Sequence, residues 1–338
     1  MVVSAVAFEK SCSPEGSGES NGMELKEGGI KKRVTKEVKC ELVDFDSLPD
    51  YFKDNEFILR YYRCEWPLRE TILSIFSIHN ETLNVWTHLI GFLIFLSLTI
   101  FTAMMVPREM NVPSMQHSSS QISVTDHMTN IITPLLTKEV TRWPFFAFLC
   151  GAMFCLLTSS ICHLIFCHSK RTAYITLRLD YTGITALIVT SFYPLVYYSF
   201  LCEPFYCHLY MSFITAFGLA TILVSLVPVF QTAEFRSVRA GLFLCMGVSG
   251  VVPIMHKLIA FHHRPEAILS TGYELLMGTF YGLGVVVYAT RIPERWMPGK
   301  FDIIGHSHQL FHVLVIAGAY THYLAGLVYL KWRDAEVC

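Results

Sequence analysis

His308 and His312 stand four residues apart where the apolar run 307–330 begins. On a helix that spacing puts both imidazoles on one face, one turn apart. Ser159 and His163 repeat the spacing near the end of the apolar run 143–166. Asp180 opens the run 178–200, and Glu81, Asn84 and His88 flank the start of 85–106. Ionisable side chains are costly in hydrocarbon and mark functional positions there. Neutral imidazoles suit zinc, and three of them leave a fourth position for water. His308 and His312 would give two donors from one helix, and His163 the third from another. Asp180 is then the carboxylate that orients a ligand or holds a bound water. Ser159, one turn from His163, could hydrogen-bond to water, ligand or substrate. A lone histidine in a membrane bundle is more often a hydrogen-bonded helix contact. The HxxxH pair by itself leaves both readings open, and the convergence of His163 and Asp180 favours the metal.

That convergence depends on threading. The 338 residues are 53% hydrophobic, with mean hydropathy +0.44. The apolar residues fall into seven blocks, about 85–106, 143–166, 178–200, 208–230, 239–261, 268–290 and 307–330. Each meets the roughly 20 residues that a spanning helix needs. The blocks are continuous rather than alternating, so a barrel is excluded and an all-α, seven-transmembrane bundle is expected over 85–331. Odd-numbered blocks start on the side of the N-terminus and even-numbered blocks return to it. The histidines, Asp180, Glu81 and Asn84 therefore share one depth near one face. His256, His262 and His263 fall at the opposite end. Glu274 and His322 lie within blocks but join no constellation. The net charge of −1 gives no sign of a nucleic-acid partner.

Orientation follows from Lys and Arg near the spans. With the N-terminus cytosolic, the inner side carries Arg60, Arg63, Arg69, Lys170, Arg171, Arg236, Arg291, Arg295 and Lys300. The outer side carries Arg108, Lys138, Arg142, Lys257, Arg264, Lys331 and Arg333. The balance favours a cytosolic N-terminus and a short external tail, 332–338. Residues 1–46 have the composition of a disordered tail. Across 47–84, SLPD reads as a capping box, and Tyr51, Phe57, Ile58, Tyr61 and Tyr62 recur at near-helical spacing. LRETILSIF repeats the pattern after Trp66-Pro67, so an amphipathic interfacial helix or pair is expected. Cys202 and Cys207 flank a short loop and could pair in an oxidising compartment.

Three motifs carry a family resemblance. They are SIHNETLNVWTHLIGF at 77–92, SSICHLIFCHS at 159–169 with LDYTGI at 179–184, and FDIIGHSHQLFH at 301–312. From about residue 50 to 330 the chain resembles the progestin and adipoQ receptor family, and within it the plant heptahelical transmembrane proteins. The resemblance implies seven helices, a cytosolic N-terminus and zinc held by His163, His308 and His312, with Asp180 reaching it through water. It implies a receptor-like protein of the plasma membrane or an endomembrane, in hormone, sugar or stress signalling. Expected partners are membrane lipid, a lipid or hormone ligand, and a cytosolic signalling protein met by the N-terminal segment. The alternative is a ceramidase-like, zinc-dependent lipid amide hydrolase using Asp180 and Ser159. The loop 107–142 gives no cue for an adiponectin partner.

Overall fold

The computed structural model describes residues 40–105, 140–227, 235–336 and 338. The expected tail lies mostly outside the described residues, as does most of the loop 107–142. Nine α-helices appear among the described residues: α1 Leu68–Leu73, α2 Thr82–Met105, α3 Trp143–Ile165, α4 Lys170–Ser199, α5 Pro204–Leu226, α6 Arg236–Val248, α7 Val251–Phe261, α8 Pro265–Thr290 and α9 Ser307–Ala335. The β pairing among these residues is one antiparallel bridge, Val43 with Tyr62.

Six helical stretches are long and apolar enough to cross a membrane, counting α6 and α7 together as Ser237–Phe261. The 26-residue α8 matches them in length, but Glu266, Glu274 and four glycines dilute its apolar content. Prolines occupy the first turns of α3, α5 and α8, where the missing N–H costs nothing. Ser169 caps α4 by accepting the Thr172 N–H at 3.2 Å. Phe95, Phe145, Phe148, Leu149 and Leu156 form a sealed core. Gly183 lets α4 approach α3, since a Cβ there would lie 3.1 Å from the Cys155 Cα. Large apolar side chains such as Leu223, Ile259 and Leu275 face outward. Such a surface suits lipid and marks a multi-pass membrane protein.

Four expectations change. The block expected over 178–200 belongs to a helix that starts at Lys170, eight residues earlier. The block over 239–261 is broken at Ser249–Gly250. Pro253 has no N–H to give the Ser249 carbonyl, and the Ser249 hydroxyl turns back to the Met246 carbonyl at 2.7 Å. The segment 47–84 is not an amphipathic helix over its first half. It forms 3-10 turns at Phe45–Ser47 and Asp50–Phe52, and Tyr61 and Glu65 take left-handed φ values of 67° and 53°. Leu48, Phe52 and Cys64 instead pack with Ala173 under the bundle. The second half does form the short α1, with Leu68, Ile72 and Leu73 exposed. Finally, Cys202 pairs with Cys338, while Cys207 is a buried thiol on α5.

Candidate metal centre

His163 ends α3, and His308 and His312 lie in the first two turns of α9. One nitrogen from each of the three lies within 4.8 Å of the others. The Nε2 atoms of His163 and His308 are 3.1 Å apart. Zinc–nitrogen bonds of about 2.0–2.1 Å would set neighbouring donors ~3.4 Å apart, so the spacing fits.

The surrounding hydrogen bonds select the tautomers. The Glu81 carboxylate receives the His163 Nδ1–H at 2.7 Å and Asn84 Nδ2 at 2.7 Å. In the neutral ring that leaves His163 Nε2 without a proton toward His308. The Thr87 hydroxyl gives its one proton to the Leu83 carbonyl at 2.6 Å. With its proton on a backbone carbonyl, it can accept from His312 Nδ1, 3.2 Å away. His312 Nε2 is then likewise left bare. Carboxylate and hydroxyl groups behind ligating imidazoles are the usual supporting partners of a metal. Bare nitrogens aimed at one another repel unless a cation or proton lies between them. Burial alone would push the Glu81 carboxyl up, but His163 and Asn84 hold it below the usual carboxylate range.

Sequence reasoning placed Glu81, Asn84 and His88 near the site without a role. Glu81 now orients His163, and Asn84 orients Glu81. His88 stacks on His312 with ring centres 3.6 Å apart and planes at 10°, while neither of its ring nitrogens has a hydrogen-bond partner among the described residues. Thr87 was missed, because a hydroxyl in an apolar run carries no spacing signal. Asp180 lies within electrostatic reach of His163 and near Ser159. A cavity of 1140 Å³ reaches His163, His308, Glu81 and Asp180, and the segment 46–65 lines its other wall. His312, His88 and Ser159 are not among its lining residues.

A second polar cluster occupies the opposite end. Lys257 Nζ donates to Glu274 Oε2 at 2.7 Å, Tyr329 OH at 2.7 Å and Ser270 Oγ at 3.0 Å. Lys257 was expected among the outer loop cations; it is instead fully buried, because α7 carries it into the interior. Arg142 grips Asp334 there with two bonds, at 2.7 and 2.9 Å.

A helical, multi-pass membrane protein with three converging histidines at one end is a narrow class. The haemolysin-III related family matches residues 76–323, which include all three. The chain belongs to that family, the progestin and adipoQ receptor family that its motifs resemble. Heptahelical transmembrane protein 4 of Arabidopsis thaliana is 55% identical over 96% of this chain and 97% of its own length. Heptahelical transmembrane protein ADIPOR3 of Oryza sativa subsp. japonica is 52% identical over 93% and 95%. The adiponectin receptor protein of Drosophila melanogaster is 38% identical over 85% of this chain and 59% of its own.

Proposed function

We propose that the chain is a seven-span, receptor-like membrane protein with a cytosolic N-terminus, in which His163, His308 and His312 hold one zinc ion. The observation that carries the reading is the convergence of one nitrogen from each histidine within 4.8 Å, with Glu81 behind His163 and Thr87 behind His312. When bound, zinc supplies a cationic cross-link between α3 and α9 and a Lewis acid for water. The chain's own groups do the rest. Glu81 and Thr87 hold the imidazoles in register. Asp180 stands at the cavity wall, able to accept a proton or a ligand hydroxyl. Metal content by elemental mass spectrometry tests the site: about one zinc per wild-type chain is expected, lost in His163→Ala and His308→Ala. A folded wild type without zinc overturns it.

The charge tally supports the orientation, and it strengthens once Lys257 leaves the outer count. The Cys202–Cys338 bridge agrees with an oxidising compartment at the opposite end. Cys40, on the cavity side, is also disulfide-bonded, so the charges carry the argument. Signalling through a cytosolic partner, in hormone, sugar or stress responses, rests on likeness to the plant relatives. Deleting 1–39 tests it without touching the segment that packs on the bundle, and unchanged partner recovery would count against it.

The cavity favours a second reading, hydrolysis of a lipid amide such as ceramide. Its volume suits a lipid headgroup, and Asp180 borders it beside the histidines. Fatty acid release from ceramide should then be lost in Asp180→Asn, and equal release by both proteins would sink this reading.

A further inference from the structure

The two helices that carry the histidines are braced by one short stretch of chain outside the apolar blocks. Arg63 is buried, and its guanidinium meets the end of α3. NH2 donates to the His163 carbonyl at 2.9 Å, and NH1 to the Leu164 carbonyl at 2.9 Å and the Ser74 hydroxyl at 2.5 Å. Those two carbonyls are among the four that a helix end leaves without intrahelical partners, and a cation suits that pole. Arg63 therefore fixes the residue that bears the His163 imidazole.

Eight residues earlier, Asn55 Nδ2 donates to Glu294 Oε1 at 3.1 Å. Glu294 is 0% exposed. Its other oxygen receives the Ser307 N–H at 2.7 Å, and its carboxylate also receives the Ser307 hydroxyl. Ser307 is the first residue of α9, and His308 follows it. An acidic group on the first free N–H of a helix fixes where that helix begins. The same stretch is pinned along its length. Leu59 N–H donates to Asp302 Oδ1 at 2.8 Å, Gly299 N–H to the Phe57 carbonyl at 3.1 Å, and Arg291 bonds to Glu56. The Val43–Tyr62 bridge ties its two ends together.

We infer that residues 43–63 form a positioning strap for the histidine centre. Arg63 sets the α3 side, and Asn55 with Glu294 sets the α9 side. The strap fixes the gap between His163 and His308, and with it the affinity for the metal. The inference rests on the zinc reading above and deepens it. A partner that pulled the strap would be felt at the metal without touching a ligand.

The test is zinc affinity of the full-length protein in detergent, by chelator competition, with the cobalt(II) absorption spectrum as a geometric readout. The variants are Arg63→Gln, Glu294→Gln and the milder Asn55→Ala, compared at matched metal-free thermal midpoints. Losing a partner behind a metal ligand typically weakens affinity by about 10–100-fold. A weakening of at least ~10-fold is expected in Glu294→Gln and Arg63→Gln, smaller in Asn55→Ala, with an altered cobalt band. Arg63→Lys keeps the charge but not the two-carbonyl grip and should recover part of the loss. Wild-type affinity and spectrum in folded Asn55→Ala and in either other variant would overturn the strap alone. A folded wild type that takes up no zinc would remove the zinc reading, and this inference with it.

Discussion

Lys257 Nζ and Glu274 Oε2 lie 2.7 Å apart, and neither side chain has any exposure. Removing one partner of a buried pair strands the other charge and costs about 3–5 kcal/mol, whereas an apolar replacement of both is often neutral or stabilising. Lys257→Met and Glu274→Leu should each lower the thermal midpoint sharply, and the double variant should recover most of the loss. Zinc content should not change in any folded variant, because the pair sits at the other end of the bundle. Additive losses in the double variant would show that the pair is not coupled.

Glu81→Gln keeps an oxygen for the His163 Nδ1–H but removes the charge. Zinc affinity should fall about 10–100-fold while the thermal midpoint of the metal-free protein moves little. Chelator competition checks this, and an unchanged affinity would deny Glu81 its orienting role.

His79 accepts the Glu81 N–H at Nδ1 and donates to the Ser74 carbonyl from Nε2, so it is held neutral. Burial, then the Arg63 charge, push its pKa from 6.5 down to about 4, while Glu81 works in the opposite direction. The unfolded chain binds the proton first as pH falls, so the contribution is full above about 6.5 and lost toward 4. The size is about 3 kcal/mol. Thermal midpoints of wild type and His79→Gln should converge as pH drops through that window. A gap that stays constant would contradict the neutral assignment.

The Cys202–Cys338 bridge closes a loop of 136 residues of separation. Losing it should cost roughly 2–4 kcal/mol, equally in Cys202→Ser and Cys338→Ser. In Cys202→Ser, an impermeant maleimide should reach Cys338 on intact cells. Labelling that needs permeabilised membranes would reverse the orientation.

The spans were readable because length and continuous apolarity are local properties. The histidine centre was readable because i,i+4 spacing and threading together fix depth. What escaped depends on neighbours distant in sequence. Arg63 looked like one more inner cation, yet its partners are carbonyls 100 residues away. Glu294 and Lys257 offered no pattern, since only the fold brings Ser307 and Glu274 to them. The aromatic period from Tyr51 to Tyr62 imitated a helix, while the positive φ at Tyr61 is a backbone choice that side-chain pattern does not report. Cys338 pairs across the chain with a residue that its spacing could never nominate.

The contact between Lys257 and Glu274 joins two helices separated only by residues 262–264. A lysine alone opposes entry into the bilayer by roughly 3 kcal/mol. With 13 and 11 residues, neither α6 nor α7 could cross by itself. Together they make one span, Ser237–Phe261, which enters lipid more readily with α8 beside it. Loss of Glu274 would then be felt during insertion, as a lysine entering lipid unpaired, as well as in the finished bundle.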